Sequence, residues 1–114
     1  TSNWDHMIIK ISILETYCDC MYDLGMHEEI EQAADQALAE IDRYNGVNER
    51  TIDAVRRAEL ELFKADCMIR RGERSAGLAI ARRVREIVND EAFQRVTGIG
   101  RKIEMARQII EGAQ

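Results

Sequence analysis

Two histidines, three cysteines and a glycine-flanked basic turn are the residues of this chain best suited to chemistry, and their spacing argues against catalysis. His6 sits near the N-terminus and His27 at a helix start, so both read as surface residues. Neither is preceded by the glutamates of an HExxH or ExxH pattern that would build a metal site on a helix. Cys18 and Cys20 are two residues apart. On a helix that spacing sends them to different sides, which rules out a shared metal. All three cysteines, with Cys67, lie in apolar helical stretches and are odd in number, which predicts buried free thiols in a reducing, cytoplasmic setting. Carboxylates are abundant, but any helical surface offers them in pairs. No nucleophile stands beside a base, so the expectation is no enzyme, no cofactor and no metal.

These residues must be positioned by helices. The chain has 114 residues and no proline, with 46% hydrophobic residues. That composition suits one domain with a single core and long unbroken helices. No apolar run is long enough for a membrane span, and no signal-peptide pattern opens the chain. The first residue is Thr1, which points to a fragment of a larger protein or a processed or engineered N-terminus. Net charge is −5, unevenly placed: residues 1–50 hold 11 acids and 3 bases, residues 51–114 hold 10 acids and 13 bases. An acidic end and a mildly basic end can meet different partners, although mixed charge also suits solvated helix faces.

Apolar spacing predicts a first helix over about 4–24, apolar on most sides and therefore buried between neighbours, capped by Ser2 or Asn3 and ended by Gly25. A second, over about 27–44, carries a small-residue stripe of Ile30, Ala33, Ala34, Ala37, Leu38 and Ile41, and Asn45-Gly46 stops it. A third spans about 50–71, with Asn48 or Thr51 as cap and Gly72 as terminator. A fourth spans about 75–88, a short fifth about 91–96, and a last one 101–110. Trp4 is expected to plug the end of the first hairpin, and the five methionines to fill the core.

Shifting the chain by 47 residues lays Gly25 on Gly72, Asp19-Cys20-Met21 on Asp66-Cys67-Met68, Ala34 on Ala81 and Ile41 on Val88. Stacked helical hairpins repeat in this way, because one unit cannot bury its own face. Over residues 8–88 the chain resembles the tetratricopeptide repeat family. The matching positions are Leu14, Tyr17, Cys18, Met21, Gly25, Ile30, Ala34 and Ala37 in one unit, and Ala65, Met68, Gly72, Gly77, Ala81 and Val84 in the other. The chain departs from the family at Glu61 and Lys64, where apolar residues are usual, in lacking the terminal proline, and in a period longer than about 34 residues.

The resemblance implies an all-α fold: a short right-handed superhelix of antiparallel hairpins (4–44 and 50–88) closed by capping helices (91–112). It also implies a groove lined by Ser12, Glu15, Asp19 and Tyr22 from one unit and Glu59, Leu62, Asp66 and Ile69 from the other. Such a groove would favour a basic or apolar segment of a protein partner. The alternative is that Asp19 and Asp66 simply face solvent or cap neighbouring groups. Self-association is a further expectation, because arrays usually need about three units.

Phe93-Gln94-Arg95-Val96-Thr97-Gly98-Ile99-Gly100-Arg101-Lys102-Ile103 resembles a helix-hairpin-helix DNA-binding element. The glycines would let the backbone approach a phosphate at a helix N-terminus, with Arg95, Arg101 and Lys102 adding charge that carries no sequence information. Glu104 stands where that family places a small residue, and a carboxylate there is expected to spoil close helix packing. The expected function is therefore a protein-interaction module. Nucleic-acid contact through the Gly98–Gly100 turn is the alternative, and a plain glycine turn between capping helices the simplest reading of that segment.

Overall fold

A computed structural model describes residues 3–47 and 52–113. Within them the fold is all-α: α1 (Asn3–Asp23), α2 (His27–Val47), α3 (Ala54–Arg70), α4 (Arg74–Val88), a single 3-10 turn (Glu91–Phe93) and α5 (Ile99–Ala113). Consecutive helices pack against one another, and α5 also folds back on α3.

Two helix ends close in the same way. Gly25 and Gly72 take φ +73° and +99°, a left-handed conformation that a side chain would resist. The amide of Met26 bonds to the Met21 carbonyl at 2.9 Å, and 47 residues on, Glu73 bonds to Met68 at 2.8 Å. Leu24 to Cys20 and Gly25 to Tyr22 are matched in turn by Arg71 to Cys67 and Gly72 to Ile69. The repeat seen in the residues is thus a repeat of backbone hydrogen bonding.

Two apolar clusters share α3. One joins Ile11 and Cys18 of α1 and the Ile30, Ala34, Ala37 and Ile41 stripe of α2 to Leu60, Phe63 and Cys67. The other joins Val55, Ala58, Leu62 and Ala65 to Ala81, Val84 and Val88 of α4 and Ala106, Ile109 and Ile110 of α5. This corrects the expectation for the first helix. α1 buries only Ile11 and Cys18, whereas α3, studded with charges, is buried on nearly every side. α1 has one neighbouring helix of extensive contact and α3 has three.

The charges that looked foreign in α3 are paired. Glu61 is buried but meets Arg57 at 3.3 Å and Arg83 at 3.1 Å. The Lys64 ammonium reaches Asp35 of α2. Buried acids persist where cations and hydrogen bonds replace water.

Several boundaries differ from expectation. Asn45 and Gly46 remain inside α2. The Asn45 amide instead donates to the Ile52 carbonyl at 3.0 Å and accepts from its N–H at 2.6 Å, bracing the approach to α3. Asn48 and Thr51, expected as caps of α3, lie outside the described residues. Asp53 fills that role, its carboxylate accepting from the Arg56 N–H at 2.9 Å. Asp53→Ala is expected to cost about 1 kcal/mol in chemical denaturation and Asp53→Asn far less, since either side-chain oxygen can cap. The helix expected over 91–96 is a three-residue 3-10 turn, and α5 begins two residues early, at Ile99. Asp90 caps the 3-10 turn through the Ala92 N–H at 2.9 Å. Trp4 is half-buried against the first cluster, with the Arg56 guanidinium 5.1 Å above its ring.

Candidate functional site: a cleft between α1, α3 and α5

The inward row of α1, at spacings of three and four residues, brings Ser12, Glu15, Asp19 and Tyr22 to one side. α3 lays Glu59 and Asp66 against that row, and the start of α5 closes it with Arg101 and Lys102. A cleft of about 480 Å³ opens here, lined among others by Ile8, Ile11, Ser12, Glu15, Arg56, Phe93, Val96 and Lys102. A separate recess of about 310 Å³ lies around Asp19, Tyr22, Phe63, Met105 and Gln108.

The electrostatics are dominated by three carboxylates. Glu59 is 6% exposed and accepts from the Arg101 Nε at 2.7 Å. The same guanidinium reaches Asp19, so Arg101 bridges α1 and α3 from α5. Burial pushes the Glu15 carboxyl up to about 7, with Glu59 and Asp19 adding to the shift and Lys102 and Arg56 opposing it. Asp19 is also raised, first by burial and then by Glu59, while Arg101 holds it down. Burial, more than the neighbouring acids, therefore sets these shifts.

Not every expected groove residue lines it. Leu62 is 0% exposed and belongs to the core with α4 and α5, because α3 turns that side away from α1. Ile69 is half-buried on the same cluster and borders a separate recess with Tyr22, Asp66, Arg70 and Met105. Asp66 holds Arg70 at 2.9 Å. The Tyr22 ring lies 6.1 Å from those of both His27 and Phe63, so His27 is half-buried rather than a surface residue.

The residues assigned to the phosphate-binding alternative are distributed differently. Arg101 and Lys102 face the carboxylates, Arg95 is exposed, Gly98 takes φ +81°, and Gly100 lies within α5. Glu104 points to solvent and pairs with Arg107 of its own helix at 3.0 Å, so it does not spoil any helix packing. Arg56 and Gln108 are not singled out by the sequence, and Phe93, Val96 and Met105 are not assigned by it to this groove. They come from three segments, and no local pattern marks them as neighbours. Comparison with family models, curated proteins and solved structures finds no match.

Among the described residues no cluster of His, Cys, Asp and Glu has the arrangement to hold a metal ion, and no helix is long and apolar enough to cross a membrane. Cys18 and Cys67 are buried, with burial pushing their thiols up to about 12 and about 11. Cys20 departs from expectation and is exposed.

Proposed function

We propose that this chain is a tetratricopeptide-like interaction module that holds a basic segment of a protein partner in the cleft between α1, α3 and α5. The observation that carries this reading is the half-buried Glu15 on the wall of the cleft, with Asp19 and Glu59 close by and held by Arg101. A Lys or Arg entering beside Glu15 would pair with its carboxylate, and the apolar walls of Ile8, Ile11, Phe93 and Val96 suit the residues flanking it. The 47-residue repeat of helix-end hydrogen bonds supports the hairpin relationship. Phosphate contact by the Gly98–Gly100 turn gains less support, because Arg101 is engaged by acids that would repel a phosphate.

The test is binding to an array of short peptides that set one Lys or Arg between apolar residues. Binders are expected to require the cation, and norleucine in place of lysine should abolish binding. A cation beside Glu15 favours its ionised form, whereas the free protein holds the proton up to about pH 7. Affinity should therefore rise about tenfold from pH 6 to pH 8. Glu15→Gln should flatten that profile. Equal binding of neutral analogues, or no binder in the array, would refute the proposal.

A further inference from the structure

The exposed face of α1 carries a second, independent inference. The matched hydrogen bonds at Gly25 and Gly72 set α1 and α3 in register at a shift of 47 residues. In α3 one stripe, Arg57, Leu60, Lys64, Cys67 and Arg71, lies along α2. Arg57 meets Asp42, Lys64 meets Asp35, Arg71 meets Glu31, and the Cys67 thiol donates to the His27 carbonyl. Among the ion pairs the partner numbers fall from Asp42 to Asp35 to Glu31 as the stripe runs from Arg57 to Arg71, so α2 runs antiparallel to it. Leu60, at its centre, is 0% exposed.

The register-equivalent stripe on α1 is Lys10, Ile13, Tyr17, Cys20 and Leu24. Here Ile13 is 62% exposed, Tyr17 42% and Leu24 67%, and Cys20 is exposed as well. An almost wholly apolar depression of Ile8, Ile9, Ser12, Ile13 and Thr16 continues it. The two stripes differ in a telling way. Where α3 sets Lys64 and Arg71 opposite the acids Asp35 and Glu31, α1 sets Tyr17 and Leu24. A helix seated here at the same register would meet apolar atoms where α2 meets cations. The far end of the fold offers no such face, since the exposed residues of α5 include Arg101, Glu104, Arg107, Gln108 and Glu111.

We infer that the Ile13–Tyr17–Leu24 face of α1 is a docking surface for an amphipathic helix of another protein segment. That helix lies antiparallel to α1 as α2 lies on α3, with apolar residues in place of the acids equivalent to Glu31 and Asp35. Contiguous exposed apolar stripes of this kind mark interaction sites. One helix face is small against the roughly 1,200 Å² that a stable complex between free partners generally buries, so a helix added in trans is expected to bind weakly and is supplied in excess.

The test uses the full 114-residue chain and a synthetic peptide with the α2 sequence, His27–Val47, carrying Glu31→Leu and Asp35→Leu. Cys20 is the reporter, because Cys18 and Cys67 are buried and the peptide contains no cysteine. Excess peptide should slow Cys20 alkylation at least about tenfold, and Ile13→Asp, a change at an exposed position, should remove that protection while leaving the circular dichroism unchanged. The unmodified α2 peptide should protect less well. Unaltered Cys20 labelling, or equal protection in the Ile13→Asp variant, overturns the inference. Labelling that spreads to Cys18 and Cys67 means the peptide has exchanged with α2, and overturns it too. Protection without peptide, together with a dimer in sedimentation, assigns the face to a second copy instead.

Discussion

Gly77→Ala is expected to lower the stability of the fold by about 2 kcal/mol, although alanine is the better helix former. A Cβ at this position would lie 2.7 Å from the Ala65 carbonyl oxygen and 2.6 Å from Ile69 Cγ1. The isoleucine side chain can adjust, but the α3 backbone cannot without disturbing the cluster it shares with α4 and α5. The helix-propensity gain of about 1 kcal/mol offsets only part of that overpacking. Gly46→Ala is the control. It too lies within a helix, yet nothing stands within 4 Å of its added methyl group, so it should be neutral or gain about 0.5 kcal/mol. Urea denaturation of both variants checks the pair, and the explanation fails if they behave alike. At the register-equivalent positions the first hairpin holds Cys18 and Ile30, both buried, where the second holds Ala65 and Gly77. The second hairpin thus uses the smaller residue on both of its helices.

Arg101→Ala is expected to cost about 2 kcal/mol near pH 8 and less than half of that near pH 5.5. The magnitude lies between a screened surface pair and a fully buried one, since the arginine is largely exposed while its partner Glu59 is not. The sign follows from the acids left behind. Glu15 and Asp19 already have pKa values raised above those of free carboxyls, and losing Arg101 raises Asp19 further. An acid raised in the folded state holds a proton there that the unfolded chain releases, so stability falls as pH climbs from the ordinary carboxylate range through the raised value. The penalty is therefore present at high pH and relieved by protonation at low pH. Adding Glu59→Gln to Arg101→Ala should recover more than half of the loss near pH 8. Equal losses at the two pH values would mean that Arg101 acts through packing rather than charge.

Both variants touch features with different visibility in the sequence. The main helices and the glycine-closed ends of the first and third were legible because they depend on local physics. Absence of proline, apolar residues at helical spacing, and glycines able to take positive φ at positions 25 and 72 are properties of neighbouring residues. Local reading failed where a competing interaction came from elsewhere. Asn45-Gly46 looks like a helix stop, yet Asn45 is held by Ile52. The segment after Asp90 has a capped start, but only its first residues form a 3-10 turn before Gly98 redirects the chain. The cleft was half legible. Ser12, Glu15, Asp19 and Glu59 follow from the tetratricopeptide resemblance, while Leu62 is misplaced because periodicity shows that a helix has faces without showing which neighbour each one meets.

The sequence by itself determined that the chain is helical, that its halves repeat with a period of 47 residues, and that glycines close the first helix of each half. Only the tertiary structure decided that the charged third helix is the buried one and the apolar first helix the exposed one. Burial depends on how many neighbours a helix acquires, and charges can be buried once Arg57, Arg83 and Arg101 arrive to pair them. The tertiary structure also set Arg101 against Asp19, 82 residues away. Coulomb attraction acts through space, and no pattern along the chain records which distant charges folding will bring together.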